Sequence, residues 1–244
     1  MYYFIRLIVV EYLRSLFDKK FRMSYKGRRS YSQLGEDIIV ANIFRRLQII
    51  HPSYLDIGAH HPSILSNTCY FYRTGSKGVN IEPDPYLYQR FLYNRRKDIN
   101  LNVGIGLNNN ESADFYVMSN RVLNTFSKED AEIARSNRNC YIKKVIKIKL
   151  LSIDMILASY FPENVPNFVS IDTEGFDLEI LKGFDFSRYR PKVFCVETLI
   201  HHEDKTTSKN SEVMQLMQSN GYFVYCDTFI NTIFVDQRYE SLLK

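Results

Sequence analysis

The feature that most constrains this chain is a recurrence of short apolar runs, each too short for a helix and each followed by a stretch of helical length. Ser53 to Ile57 and Lys77 to Ile81 read as short strands, and Phe168 to Ile171 and Val193 to Val196 as buried parallel strands. Helical patterns occupy Gln33 to Leu47, Tyr86 to Arg96, Ser152 to Tyr160 and Leu178 to Lys182. A strand covered by helices above and below has no wet side, so this alternation predicts an α/β fold with a mainly parallel sheet. Further strands are expected at Leu101 to Val103, at Ala113 to Met118 and at Val145 to Leu150, where Ile146, Ile148 and Leu150 alternate with Lys147 and Lys149. Tyr222 to Cys226 and Thr232 to Val235 flank a short connection, as an antiparallel pair does. In such sheets ligands gather at the carboxyl ends of the strands.

With 244 residues, 45% of them hydrophobic and 24% charged, the chain can enclose a substantial core, and residues 31 to 244 show no internal boundary, repeat or low-complexity tract. Residues 1 to 30 read differently. Phe4, Leu7, Ile8, Tyr12 and Leu16 recur at helical spacing, while Arg6, Glu11 and Arg14 interrupt the run too often for a signal peptide or a bilayer span. An amphipathic helix is expected there, packed on the domain, on a second subunit in a homo-oligomer, or on a membrane surface. A basic linker follows, with Lys19, Lys20, Arg22, Lys26, Arg28 and Arg29. The net charge of +5 is small for the chain's size and the basic run lacks interleaved aromatics, which argues against a nucleic-acid partner. Cys69, Cys140, Cys195 and Cys226 lie too far apart for a metal-binding pair, so free thiols and a cytoplasmic location are expected.

The chemistry concentrates in Tyr54-Leu55-Asp56-Ile57-Gly58-Ala59 and in Glu82 at the end of the next strand. A glycine at a strand end lets a ligand approach the backbone, and an acid at the neighbouring strand end can accept both hydroxyl hydrogens of a ribose. A dinucleotide site would carry further glycines to cradle a pyrophosphate, whereas positions 60 and 63 hold His60 and Ser63. The layout therefore predicts a nucleoside ligand without that pyrophosphate. An Asp-x-Gly turn taken alone is equally the mark of an ordinary strand-to-helix connection.

Its company is more specific. Ser32-Gln33-Leu34-Gly35-Glu36-Asp37 lies upstream, then Asp56-Ile57-Gly58-Ala59-His60-His61-Pro62 with Ser66-Asn67-Thr68, then Gly78-Val79-Asn80-Ile81-Glu82-Pro83, then Ile171-Asp172-Thr173-Glu174-Gly175. In this order and spacing the chain resembles the FkbM-type methyltransferase family from Tyr31 to Val235. The resemblance implies a Rossmann-like class I fold, a seven-stranded sheet with one antiparallel strand and helices on both faces, binding S-adenosyl-L-methionine. It places Gln33, Asp56, Gly58, Ala59, His60, Asn67, Thr68, Glu82, Pro83 and Asp172 around that cofactor, with Asp56 and Gly58 beside the methionine part and Glu82 on the ribose.

A second group follows the later strands: Asp172 and Glu174 after one, then Glu197, His201 and His202 after the next. If those strands are neighbours, their acidic ends converge. Asp172, Glu197 and His201 are the expected catalytic residues and the candidates to hold a divalent cation; the two carboxylates can orient a hydroxyl, accept its proton or bind the ion through oxygen. Asp172 and Glu174 can instead cap the next helix, and the His201-His202 pair can be a solvated loop.

The family resemblance implies an O-methyltransferase acting on a sugar, nucleotide-sugar or related small polar acceptor. One rival is a non-catalytic nucleoside-binding module; another is methylation of a different acceptor such as nucleic acid. The chain has Asp172-Thr173-Glu174-Gly175 where amino-methyltransferases of nucleic acid carry an Asn/Asp-Pro-Pro-aromatic tetrad. A nicotinamide oxidoreductase is disfavoured because its one Tyr-x-x-x-Lys, Tyr93 to Lys97, precedes the third strand.

Overall fold

The computed structural model describes residues 28–109, 111–137, 140–173, 175–201 and 206–244. The amphipathic helix expected over residues 1–17, most of the basic linker, Glu174 and His202 lie outside the described residues.

In chain order the strands are β1 (Tyr54–Ile57), β2 (Gly78–Ile81), β3 (Ile99–Leu101), β4 (Gly104–Ile105), β5 (Ser112–Met118), β6 (Ile142–Leu151), β7 (Phe168–Ile171), β8 (Val193–Glu197), β9 (Leu199–His201), β10 (Thr207–Lys209), β11 (Tyr222–Asp227) and β12 (Asn231–Asp236). Seven of them form the central sheet in the order β11-β12-β8-β7-β1-β2-β3. β1 pairs in parallel with both β2 and β7, β2 with β3 and β7 with β8, whereas β12 runs antiparallel to β8 and to β11. The sheet is thus mostly parallel and mixed in orientation, with β12 the reversed strand. β4, β5 and β6 make a separate three-stranded annex, and β9 with β10 a short hairpin.

Alternation along each strand sends side chains to two cores. Leu55, Ile57, Val169, Ile171, Phe194 and Val196 pack with the helices Ile153–Tyr160, Asp177–Lys182 and Ser211–Ser219. Tyr54, Phe168, Val193 and Cys195 pack on the other side with the helix Glu36–Arg46 and with Phe71. That helix shows how local sequence sets the element. Val40, Ile43 and Phe44 fall on one face and are buried, Glu36 and Asp37 sit in its positive first turn, and Arg45 and Arg46 sit in its negative last turn. Burying a side chain the size of Phe44 contributes about 1.5–3 kcal/mol.

Two expected boundaries move. The helix read from Gln33 starts at Glu36, because Gly35 adopts a left-handed backbone (φ 94°) and Ser32 Oγ accepts from the amides of Gly35 and Asp37. The strand read at Leu101 to Val103 is Ile99–Leu101, since Asn102 turns away and donates its side-chain amide to the carbonyls of Glu82 and Pro83. No helix among the described residues is long and apolar enough to cross a membrane.

Candidate functional site

The carboxyl ends of β1, β2, β7 and β8 open into a cavity of about 250 Å³. Gly58 occupies the close approach between two of them. Its φ is +74°, and a Cβ there would stand 1.8 Å from the carbonyl oxygen of Asp172, so no side chain fits without moving the strand ends apart. The amides of Gly58 and Ala59 donate to the Ile81 carbonyl (3.1 and 3.0 Å) and that of Asp172 donates to the Ile57 carbonyl (3.0 Å). These bonds extend the parallel pairing one step past the strands and hold the loops in place.

Glu82 is 4% exposed, with Oε2 accepting from the His60 amide and Oε1 from the Asp84 amide, each at 2.7 Å. Burial pushes its carboxyl up to about 8, partly opposed by those two amide bonds. Two oriented backbone donors fix the carboxylate and leave lone pairs for hydroxyl donors of a ligand. Replacement by Gln, which keeps the size but exchanges one acceptor oxygen for a donor amide, is expected to weaken S-adenosylhomocysteine binding by about 1–3 kcal/mol, the scale of leaving a buried donor unsatisfied. Calorimetry measures it. Because the folded carboxyl binds its proton more tightly than the unfolded one, with its ordinary value of 4.5, its contribution to ligand-free stability is lost as pH rises towards about 8. Wild-type unfolding free energy should therefore fall relative to Glu82→Gln across that interval.

Asp172 and Glu197 converge on the same cavity, because β7 and β8 are direct neighbours. Their side chains share a hydrogen bond, and Asp172 is held above the ordinary carboxylate range by removal from water and by the negative charge of Asp177, against which the Glu197 bond works. Asp177, the first residue of its helix, accepts from the amides of Thr173 (3.1 Å) and Gly175 (3.3 Å) and so shapes the loop carrying Asp172. The N-cap of that helix is Phe176, which makes no side-chain cap hydrogen bond, so Asp172 does not perform the capping task considered for it. A carboxyl pair sharing one hydrogen bond can accept one proton and orient one hydroxyl.

Gln33, Gly58, His60, Glu82, Pro83, Asp172 and Glu197 all line this one cavity. Asp56, Ala59, Asn67 and Thr68 do not contribute to its wall. Asp56 points to the opposite face of β1 and accepts from Thr68 Oγ1 at 2.5 Å, while Asn67 donates to Ser170 Oγ at 3.1 Å. Arg95, 1% exposed, binds this layer to the loop after β1 through Thr68 Oγ1 and the Pro62 carbonyl. His201 lies on β9 by its backbone. Burial lowers the pKa of His60, which favours a neutral ring. Among the described residues no group of three or more His, Cys, Asp or Glu side chains is placed to hold a metal.

Sequence reasoning missed the wall made by residues 121–126. Asp84 fastens it. One oxygen caps the helix Pro85–Asn94 through the Tyr86 amide, and the other accepts from Arg121 and from Asn124 Nδ2, the latter at 2.8 Å. Arg121 also lies 4.4 Å from the Tyr86 ring centre. The Asp-Pro signal of a helix start is visible in Asp84-Pro85, but its partners lie beyond the next three strands.

A profile described as the Methyltransferase FkbM domain matches residues 56–224, more than half of the chain. The chain belongs to the FkbM methyltransferase family. This FkbM protein is accordingly an S-adenosylmethionine-dependent methyltransferase, and the cradle at Gly58 with the fixed Glu82 carboxylate fits a nucleoside cofactor. No curated protein matches the chain. Among solved structures, the FkbM protein is similar to 1,6-didemethyltoxoflavin-N1-methyltransferase of Burkholderia thailandensis (9% identity, 93% of this chain and 89% of that one, TM-score 0.41). It is also similar to an O-methyltransferase of Bacillus cereus in complex with S-adenosylhomocysteine (12% identity, 91% and 97%, TM-score 0.39).

Proposed function

We propose that the protein methylates a hydroxyl of a sugar, nucleotide-sugar or related small polar acceptor. The observation carrying this reading is the Asp172–Glu197 pair, set in the same cavity as Glu82. In the proposal Glu82 takes the ribose hydroxyls, Gly58 and His60 line the remainder of the cofactor's path, and Gln33 and Pro83 complete the wall. Asp56, Asn67 and Thr68 support the loop from beneath. When bound, S-adenosylmethionine supplies an electrophilic methyl group.

The chain's own part is to hold the acceptor oxygen in line and to take its proton. Fixing that geometry accounts for much of the acceleration available to an in-line displacement. A carboxylate with raised proton affinity is a better base than an ordinary surface acid, which suits Asp172, with Glu197 steadying it and His201 closing the pocket. Incubation of the full chain and S-adenosylmethionine with a panel of nucleotide-sugars, read by product mass, should give a single added methyl on one of them. Methylation confined to amines or to nucleic acid would replace this reading.

A further inference from the structure

Three loops and the strand β9 meet at the cavity mouth, and each exposes a large apolar residue beside one that lines the cavity. Leu34 is 52% exposed next to Gln33, Ile64 59% next to Leu65, Ile200 37% next to Leu199, and Phe229 63% next to Ile230. The loops form one surface. The Ser66 amide donates to the Tyr31 carbonyl at 2.9 Å and the Thr198 amide to that of Ile230 at 3.0 Å. The Glu36 carboxylate accepts from the Leu34 amide and from Thr228 Oγ1, each at 2.8 Å.

One tip and the cavity-lining neighbour of another are held in an unfavourable backbone. Leu65 (φ 53°) and Phe229 (φ 76°) are bulky residues in the left-handed region, where Gly or Asn would sit without strain. The Phe229 turn is locked by its amide donating to Asp227 Oδ1 at 2.7 Å. Strain that presents an apolar side chain to solvent does nothing for the core.

Charge specifies the occupant. Arg29 and Arg73, both exposed, flank the Tyr31 ring at 5.3 and 5.6 Å, beside the Leu34 loop. Arg28 is exposed as well, and with Arg29 it ends a run of basic residues that begins at Lys19 in the sequence. Apolar tips with a cluster of exposed arginines on the Leu34 side match the two layers of an anionic bilayer surface, acyl chains behind phosphates.

We propose that the cavity mouth docks on an anionic lipid surface, so that the acceptor hydroxyl is taken from a molecule held at that interface. The second clause rests on the hydroxyl-methylation reading; the docking itself does not. Leu34, Ile64 and Phe229 enter the acyl boundary, and Arg29 and Arg73 lie at headgroup level.

The test is co-sedimentation of the full chain with vesicles of phosphatidylcholine containing phosphatidylglycerol, against phosphatidylcholine alone. Binding is expected to the anionic vesicles and to weaken with salt. Phe229→Asn, which suits the left-handed turn, and Ile64→Asn should each lower partitioning by on the order of tenfold. Both variants should keep wild-type S-adenosylhomocysteine affinity, which shows that the site is intact. Equal partitioning of both variants and wild type would overturn the proposal and leave any membrane contact to residues 1–27. A loss of oligomer mass in Phe229→Asn without a change in vesicle binding would also overturn it, since the rim would then meet another copy of the chain. Failure to methylate any sugar, with vesicle binding intact, would count against the hydroxyl reading alone.

Discussion

Replacing Asp172 by Asn is expected to lower turnover by about 10² or more while leaving S-adenosylhomocysteine affinity within about twofold, the pattern of a lost general base. The substitution keeps the side chain's size and its place beside Glu197 but removes the proton acceptor. The pH profile carries the same information. Desolvation and Asp177 raise the proton affinity of Asp172, so activity should rise with pH along a limb displaced above that of an ordinary carboxylate. Neutralising Asp177 removes one of those two causes and should move the limb towards lower pH. Turnover of a folded Asp172→Asn protein close to wild type, measured in single-turnover assays, would leave the acid pair a structural role only.

Replacing Arg95 by Met is expected to destabilise the fold by about 3–5 kcal/mol, the cost of stranding a buried charge whose partner has been removed. Arg95 Nε lies 2.9 Å from Asp98 Oδ2, and the two side chains are 1% and 0% exposed. The guanidinium also donates to Tyr54 Oη at 2.9 Å, Thr68 Oγ1 at 3.0 Å and the Pro62 carbonyl at 3.1 Å. Asp98 in turn accepts from Tyr54 Oη, the Gly78 amide and Asn80 Nδ2. Removing the cation leaves this set with an uncompensated negative charge. Adding Asp98→Asn to Arg95→Met should therefore restore part of the loss instead of doubling it, a sign that additive surface effects would not give. Urea unfolding of the single and double variants measures both quantities. Since Arg95 anchors the loop between His60 and Thr68, cofactor affinity should fall with stability in the single variant.

These two residues stood very differently in the sequence. Asp172 follows a recognisable apolar strand within a run of family motifs, so its position at a strand end was legible. Arg95 looked like one more charge on a charge-rich helix. Nothing in Tyr93-Asn94-Arg95-Arg96-Lys97 distinguishes the residue that turns inward from its neighbours, because its partners come from β1, from the loop after it and from Asp98.

By itself the sequence determined what depends on local pattern: short apolar strands, amphipathic helices, a parallel sheet and hence a site at the strand carboxyl ends. It placed Gly58, Glu82, Asp172 and Glu197 there because each directly follows or ends a strand. Only the tertiary structure decided which side chains reach the cavity and which turn away. The alternation of a strand sends Asp56 to the opposite face from Ile57, and a seal such as Asp84 with Arg121 and Asn124 joins residues whose separation leaves no periodic trace. The same holds for the apolar rim, whose four residues are unremarkable singly. They become one surface only when hydrogen bonds between distant loops bring Leu34, Ile64, Ile200 and Phe229 around a single opening, because side-chain contacts across a fold are set by how whole elements pack and not by any short stretch of chain.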